Sequence, residues 1–132
     1  MNTDRVPLKA KLFRGLADPS RLAVLEALHA GPQCVSEVVA VTGLSQPNAS
    51  AHLACLEDCG LVSRERRGKF VYYAIADERL IKVLDEVDVI LADIGSNVFR
   101  CTRYEVRRPR RGDGLRVAAQ RGREKAHDST HR

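Results

Sequence analysis

The chain has 132 residues, 44% of them hydrophobic, which suits one globular domain plus a tail and excludes a large multidomain enzyme. No run approaches the roughly 18 uninterrupted apolar residues of a membrane span, and the opening Met1–Lys9 lacks the apolar core of a signal peptide, so a cytoplasmic location is expected. The net charge of +5 hides a division: residues 1–99 carry 11 Lys/Arg against 13 Asp/Glu, net −2, whereas residues 100–132 carry 11 against 4, net +7.

The basic run from Arg107 onward is poor in aromatic and branched residues. It predicts a folded domain over 1–104 and a basic, disordered tail over 105–132, which would either add salt-sensitive attraction to phosphates or simply solubilise the chain.

In chain order, Leu8, Leu12, Phe13 and Leu16 have helical spacing from Pro7 to about Ala17. Asp18-Pro19 breaks that helix and starts another: Asp18 is a capping residue and Pro19 suits a first helical position. The second helix carries Leu22, Leu25 and Leu28 and stops at Gly31-Pro32. A short helix over Val35–Val41 follows, with Val35, Val38 and Val39 facing inward, and then the turn Thr42-Gly43-Leu44, the joint of a helix-turn-helix. Ser45 is an N-cap for the next helix, in which Ala49, Leu53 and Leu56 form a narrow core stripe before Gly60 closes it.

Leu61–Ile75 reads as strand, basic glycine turn and strand, a two-stranded β wing directly after a recognition helix. Asp77 caps a last helix from Glu78 to about Val98. Its Leu80, Ile81, Leu84, Val87, Val89, Ile90, Leu91 and Ile94 cover more of the circumference than one small core can bury. The predicted fold is therefore mainly α with a two-stranded wing, a winged helix-turn-helix dimerising through its first and last helices to suit a palindromic operator.

The N-terminal part of a recognition helix meets base edges. Here it offers Gln46, Asn48, Ser50 and His52, and Gln and Asn can each pair bidentately with adenine. Arg64, Arg66, Arg67 and Lys69 around the wing turn have the chemistry to grip phosphates, or are simply an exposed charged tip. Cys55 and Cys59 stand four apart, one above the other on a helix face, where two thiolates can share a soft metal ion. Cys34, at a helix start with no partner in register, reads as a small buried hydrophobe. In a reducing compartment none of the four cysteines is expected in a structural disulfide.

Ala17-Asp-Pro-Ser-Arg-Leu22, Leu44–Leu53, Cys59-Gly-Leu-Val62 and Arg67–Ile75 resemble the ArsR/SmtB repressors over roughly residues 8–100. The resemblance implies a small dimeric winged-helix protein that leaves operator DNA on binding metal. The pattern His52-Leu-Ala-Cys55-Leu-Glu-Asp-Cys59-Gly-Leu-Val62, with a cysteine just past the last helix, is similar to the cadmium/lead-sensing, CmtR-like branch. That implies Cys55, Cys59 and Cys101 as ligands, Cys101 supplied by the partner protomer. The last-helix histidine sites and the Cys-x-Cys motif of other branches have no counterpart, since no histidine lies between His52 and His127.

Three thiolates without an imidazole favour soft ions, Cd(II), Pb(II), Hg(II) or As(III), over four-coordinate zinc, and the resemblance implies Cd(II) or Pb(II) as the inducer among them. A redox or reactive-sulfur sensor on the same fold is the alternative. An enzyme or an organic cofactor is not expected: no nucleophile has a base placed by a motif, and no glycine-rich phosphate loop appears.

Overall fold

The computed structural model describes residues 4–103. The expected tail, with His127 and His131, lies outside them. Local capping chemistry sets most boundaries. Helix α1 (Arg5–Leu16) gives way to α2 (Pro19–Leu28), whose start is held by Asp18: its carboxylate accepts from the Arg21 N–H at 3.0 Å, with Pro19 in the first turn. Strand β1 (Gln33–Cys34) leads directly into α3 (Val35–Thr42), and α4 (Gln46–Asp58) follows. Strands β2 (Val62–Arg67) and β3 (Phe70–Ile75) precede the long α5 (Glu78–Arg100). At the head of α5, Asp77 accepts from the Arg79 N–H at 2.8 Å and from its guanidinium at 2.6 Å. Those two interactions hold its carboxyl down at about 2.

The expected two-stranded wing is present as β2 and β3, and β1 adds to its β3 edge to make a three-stranded antiparallel sheet of order β1-β3-β2. Gln33 pairs with Tyr73 and Cys34 with Tyr72. The physical reason is that β3 has two edges, and the residues after Pro32 supply backbone partners for the one that β2 leaves open. Cys34 is buried, and its backbone N–H donates to the Glu37 carboxylate at 3.0 Å at the head of α3.

The core is Val24, Leu25 and Leu28 of α2, Val38 of α3, Leu44, then Ala49, Leu53 and Leu56 of α4, with Val62 of β2 and Leu84 of α5. Each fully buried leucine is worth about 1.5–3 kcal/mol relative to exposure. Val35, Val39 and Leu22 pack around this cluster. Helix α1 buries no residue, and α5 buries Leu84 alone. Leu8, Leu12 and Phe13 of α1 stay exposed, as do Val83, Val87, Ile90, Leu91, Ile94 and Val98, which recur every three or four residues along α5. Among the described residues no helix is long and apolar enough to cross a membrane.

Candidate functional site

The site is built on α4 and the hairpin that follows it. The turn into α4 is made by side chains: the Thr42 hydroxyl donates to the Val38 carbonyl at 2.8 Å and accepts from the Leu44 N–H at 3.2 Å. Ser45 then caps α4, its Oγ accepting from the Asn48 N–H at 3.2 Å. With Ala49, Leu53 and Leu56 inward, helical periodicity sets Pro47, Ala51, Ala54 and Asp58 on the outer face and leaves a flank on either side of it. Asn48, His52, Cys55 and Cys59 fall on one flank, and Gln46, Ser50 and Glu57 on the other. The four expected base-reading residues therefore do not share a face. Gln46 is exposed, while Asn48, Ser50 and His52 are half-buried.

Helix α4 ends in two reverse bonds: Gly60 N–H to the Glu57 carbonyl at 3.0 Å and Leu61 N–H to the Leu56 carbonyl at 3.0 Å. This closure needs a left-handed residue, and Gly60 has φ +83°. Only Leu61 then separates the turn from β2.

Within the hairpin, Gly68 (φ +62°) opens a two-residue turn. The four basic side chains expected there as one tip are split. Arg64, deep in β2, pairs with Glu57 of α4 at 3.3 Å. Arg67 pairs with Glu65 at 3.2 Å and lies 5.1 Å from the centre of the Tyr72 ring. The strand's two-residue period puts Arg64 and Arg66 on one face and Glu65 and Arg67 on the other. Among the described residues, Arg66 and Lys69 have no ion pair, unlike Arg64 and Arg67.

All four cysteines are free thiols. Cys55 and Cys59 are both exposed, and the Cys59 N–H donates to the Cys55 carbonyl at 3.1 Å, the register that stacks them on one face. Cys101 caps the far end of α5, partly buried, its N–H directed at the carbonyls of Asn97 and Val98. Among the described residues no three His, Cys, Asp or Glu side chains of this one chain are grouped closely enough to hold a metal ion. The structure thus brings Cys55 and Cys59 together and does not join Cys101 to them within a protomer. Sequence reasoning missed both the Glu57–Arg64 pair and a link between α2 and α5, His29 Nε2 to Asp85 Oδ1 at 2.7 Å. Neither has a local pattern to reveal it.

Residues 18–64, from the cap of α2 into β2, match the family of bacterial regulatory proteins called the arsR family. Over 94 residues the chain is 40% identical to a probable mercury resistance operon repressor of Streptomyces lividans, covering 71% of this chain and 75% of the relative. Over 84 residues it is 45% identical to the transcriptional regulator CmtR of Mycobacterium tuberculosis, covering 63% and 71%. The chain belongs to the ArsR family of bacterial regulatory proteins. Solved ArsR-like structures agree on the fold. A homodimeric winged helix-turn-helix DNA-binding domain from Mycobacterium bovis superimposes with a TM-score of 0.62 at 30% identity, covering 76% of this chain and 92% of that one. The repressor BigR of Xylella fastidiosa does so with a TM-score of 0.61 at 26% identity, covering 67% and 90%. These ArsR-family relatives are regulators of transcription rather than enzymes.

Proposed function

We propose that this chain is a homodimeric repressor that binds operator DNA in the metal-free state and releases it when Cys55, Cys59 and Cys101 capture a thiophilic metal ion. The observation that carries the reading is the exposed thiol pair on the last turn of α4, on the same flank as Asn48 and His52. A ligand held there cannot be accommodated without consequence for the helix that reads DNA.

The donor set fits soft ions. Three sulfurs suit Cd(II) or Pb(II), with As(III) and Hg(II) as further candidates, while zinc would lack a fourth tetrahedral ligand. The name of one relative, a probable mercury resistance operon repressor, also points to a soft ion. Helix α5 is 23 residues long, about 34 Å, and carries Cys101 to its far end. Among the described residues of one chain no three-ligand group forms, and in this reading, as the resemblance implies, the partner supplies Cys101, giving two sites per dimer. The exposed apolar stripe of α5 and the apolar side chains of α1 form the dimer interface.

On DNA, the N-terminal half of each α4 enters a major groove. Gln46 and Asn48 supply amide edges that match adenine. Ser50 and His52 flank them, and Arg66 and Lys69 line the phosphates. When bound, the metal ion supplies a cross-link between thiolates of two elements. Cys55 and Cys59 thereby tie the end of α4 to the α5 terminus that carries Cys101, and the two recognition helices lose the spacing that fits successive grooves. Linkage requires DNA to weaken metal binding by the same factor.

The test is fluorescence anisotropy of the reduced protein on DNA from upstream of its own gene, titrated with cadmium, lead, mercury, arsenite and zinc. Release by the thiophilic ions but not by zinc, reversed by a chelator and abolished in Cys55→Ser and Cys59→Ser, is expected. Release that survives either serine variant at the same cadmium concentration would sink the ligand assignment. Tight binding indifferent to every ion but lost on peroxide or persulfide treatment would establish the redox or reactive-sulfur sensor instead.

A further inference from the structure

The corner between α4 and β2 is closed twice. The backbone closes it through the Gly60 turn, where the Glu57 and Leu56 carbonyls accept the two reverse bonds. Side chains close it again four residues later, where the Arg64 Nε meets the Glu57 carboxylate at 3.3 Å. Val62, between them, is in the hydrophobic core beside Leu56 and Leu53. Helix end and first wing strand are thus one braced unit, and Glu57 stands in the four-residue interval between Cys55 and Cys59. Arg64 in turn sits on the ladder that runs from Val62 paired with Ile75 to Arg67 paired with Phe70, next to the wing turn at Gly68.

Arg64 also differs from the other wing cations. It points back to α4, three ladder positions from the turn, where Tyr73 is its cross-strand partner. Arg66 and Lys69 lie at or beside the turn and have no ion pair among the described residues. A guanidinium held against the helix end is badly placed to track a phosphate backbone that the turn would reach.

We infer that Glu57 and Arg64 are a positioning pair that couples the thiol-bearing end of α4 to the wing, and that Arg64 serves this corner rather than a DNA phosphate. The first half rests on the metal-released repressor proposed above. The second does not. Capture of an ion at Cys55 and Cys59 would move wing and helix together, so base and phosphate contacts are lost in one step.

The experiment uses the full chain on its upstream DNA, with cadmium ion as the probe. Cadmium binding is followed separately by the ultraviolet thiolate-to-metal absorbance. The readout is the ratio of operator Kd with and without cadmium. A half-exposed ion pair is a modest interaction, so Glu57→Gln and Arg64→Gln should each shrink that ratio by about two- to fivefold. The double variant should shrink it no further than either single one. The exchange Glu57→Arg with Arg64→Glu should recover it. The thermal midpoint and the thiolate absorbance stay as in the parent chain throughout, which a merely structural role would not allow.

A ratio unchanged in both single variants, or losses that multiply in the double one, overturns the coupling. The second half is read without metal, from the dependence of log Kd on log salt. Arg66→Gln should flatten that slope by about one, and Arg64→Gln should leave it alone. Equal flattening by both would place Arg64 on a phosphate and refute that half. A parent protein that binds DNA but ignores every thiophilic ion refutes the repressor reading and the coupling with it, while the salt slopes still decide what Arg64 does.

Discussion

Leu53 has no exposed surface and lies one turn from both Ala49 and Leu56, so its side chain fixes which way α4 turns its polar flanks. Leu53→Ala should cost about 2–5 kcal/mol, seen as a lower urea midpoint at unchanged m-value, and should abolish operator binding before any contact residue is touched. Cys34 is the contrasting case. It is buried and 3.2 Å from the Ser36 hydroxyl, and its N–H is satisfied by Glu37, a bond that does not depend on sulfur. Cys34→Ser should therefore leave the cadmium-thiolate absorbance per protomer at its parent value, whereas Cys101→Ser should lower it by about a third if three sulfurs bind equivalently. An equal loss in both variants would make Cys34 a ligand. Residue identity alone does not separate these thiols. What separates them is exposure, and for Cys34 the strand β1 that it belongs to accounts for its burial.

Among the elements, α5 invites the plainest substitution. Its exposed Val87, Ile90 and Ile94 contribute nothing to the protomer's core cluster. Ile90→Asp should thus leave the helical circular dichroism intact while converting dimer to monomer in sedimentation, with operator affinity lost because one recognition helix cannot span two half-sites. A dimer that persists would move the interface off this stripe. Ser45→Ala, by contrast, removes the cap of α4 and should cost about 1 kcal/mol without changing the oligomer. Such punctuation was legible in the sequence. Asp18-Pro19, Ser45, Gly60 and Asp77 each act on backbone groups within three residues, and the apolar positions of α2 and α4 repeat at helical spacing. Strand β1 was not legible, because two residues cannot display an alternation and their pairing is decided by β3. The wing cations were legible as a group but not as individuals. Arg64 and Glu57 are separated by a turn that no periodicity describes, and only the folded corner shows which arginine is already engaged. The role proposed for Cys101 has no such local signal, since in the proposed reading it joins the other two thiols from a second protomer.

For the whole molecule, the consequential contact is the one that anchors α5, the proposed dimer helix, to the rest of the protomer. Apart from Leu84 in the core and Leu80 packed against it, α5 is tied to α2 by His29 and Asp85, 56 positions apart and 2.7 Å from each other. The hydrogen bond to Asp85 raises the imidazole above its ordinary range, reinforced by the charge of Asp85 and, more weakly, by those of Glu26 and Asp88. Glu26 is itself raised, by burial first and by Asp88 second. A group whose folded-state pKa lies above its unfolded value contributes its full stability below the unfolded pKa and loses it as pH rises through the folded one. The anchor is therefore fully in place on the acid side of the ordinary histidine range, near 6.5, and weakens as the solution becomes alkaline. Glu26 acts with the same sign but in the lower carboxyl range. Measured between pH 6 and 9, the urea midpoint of the parent chain should fall relative to that of His29→Gln, and Asp85→Asn should remove the same difference. If α5 forms the proposed dimer interface and so sets the spacing of the two recognition helices, metal-free operator affinity should decline over that interval in the parent chain and not in either variant. A midpoint difference between parent and His29→Gln that stays constant with pH would show that the ion pair contributes geometry but no charge-dependent anchoring.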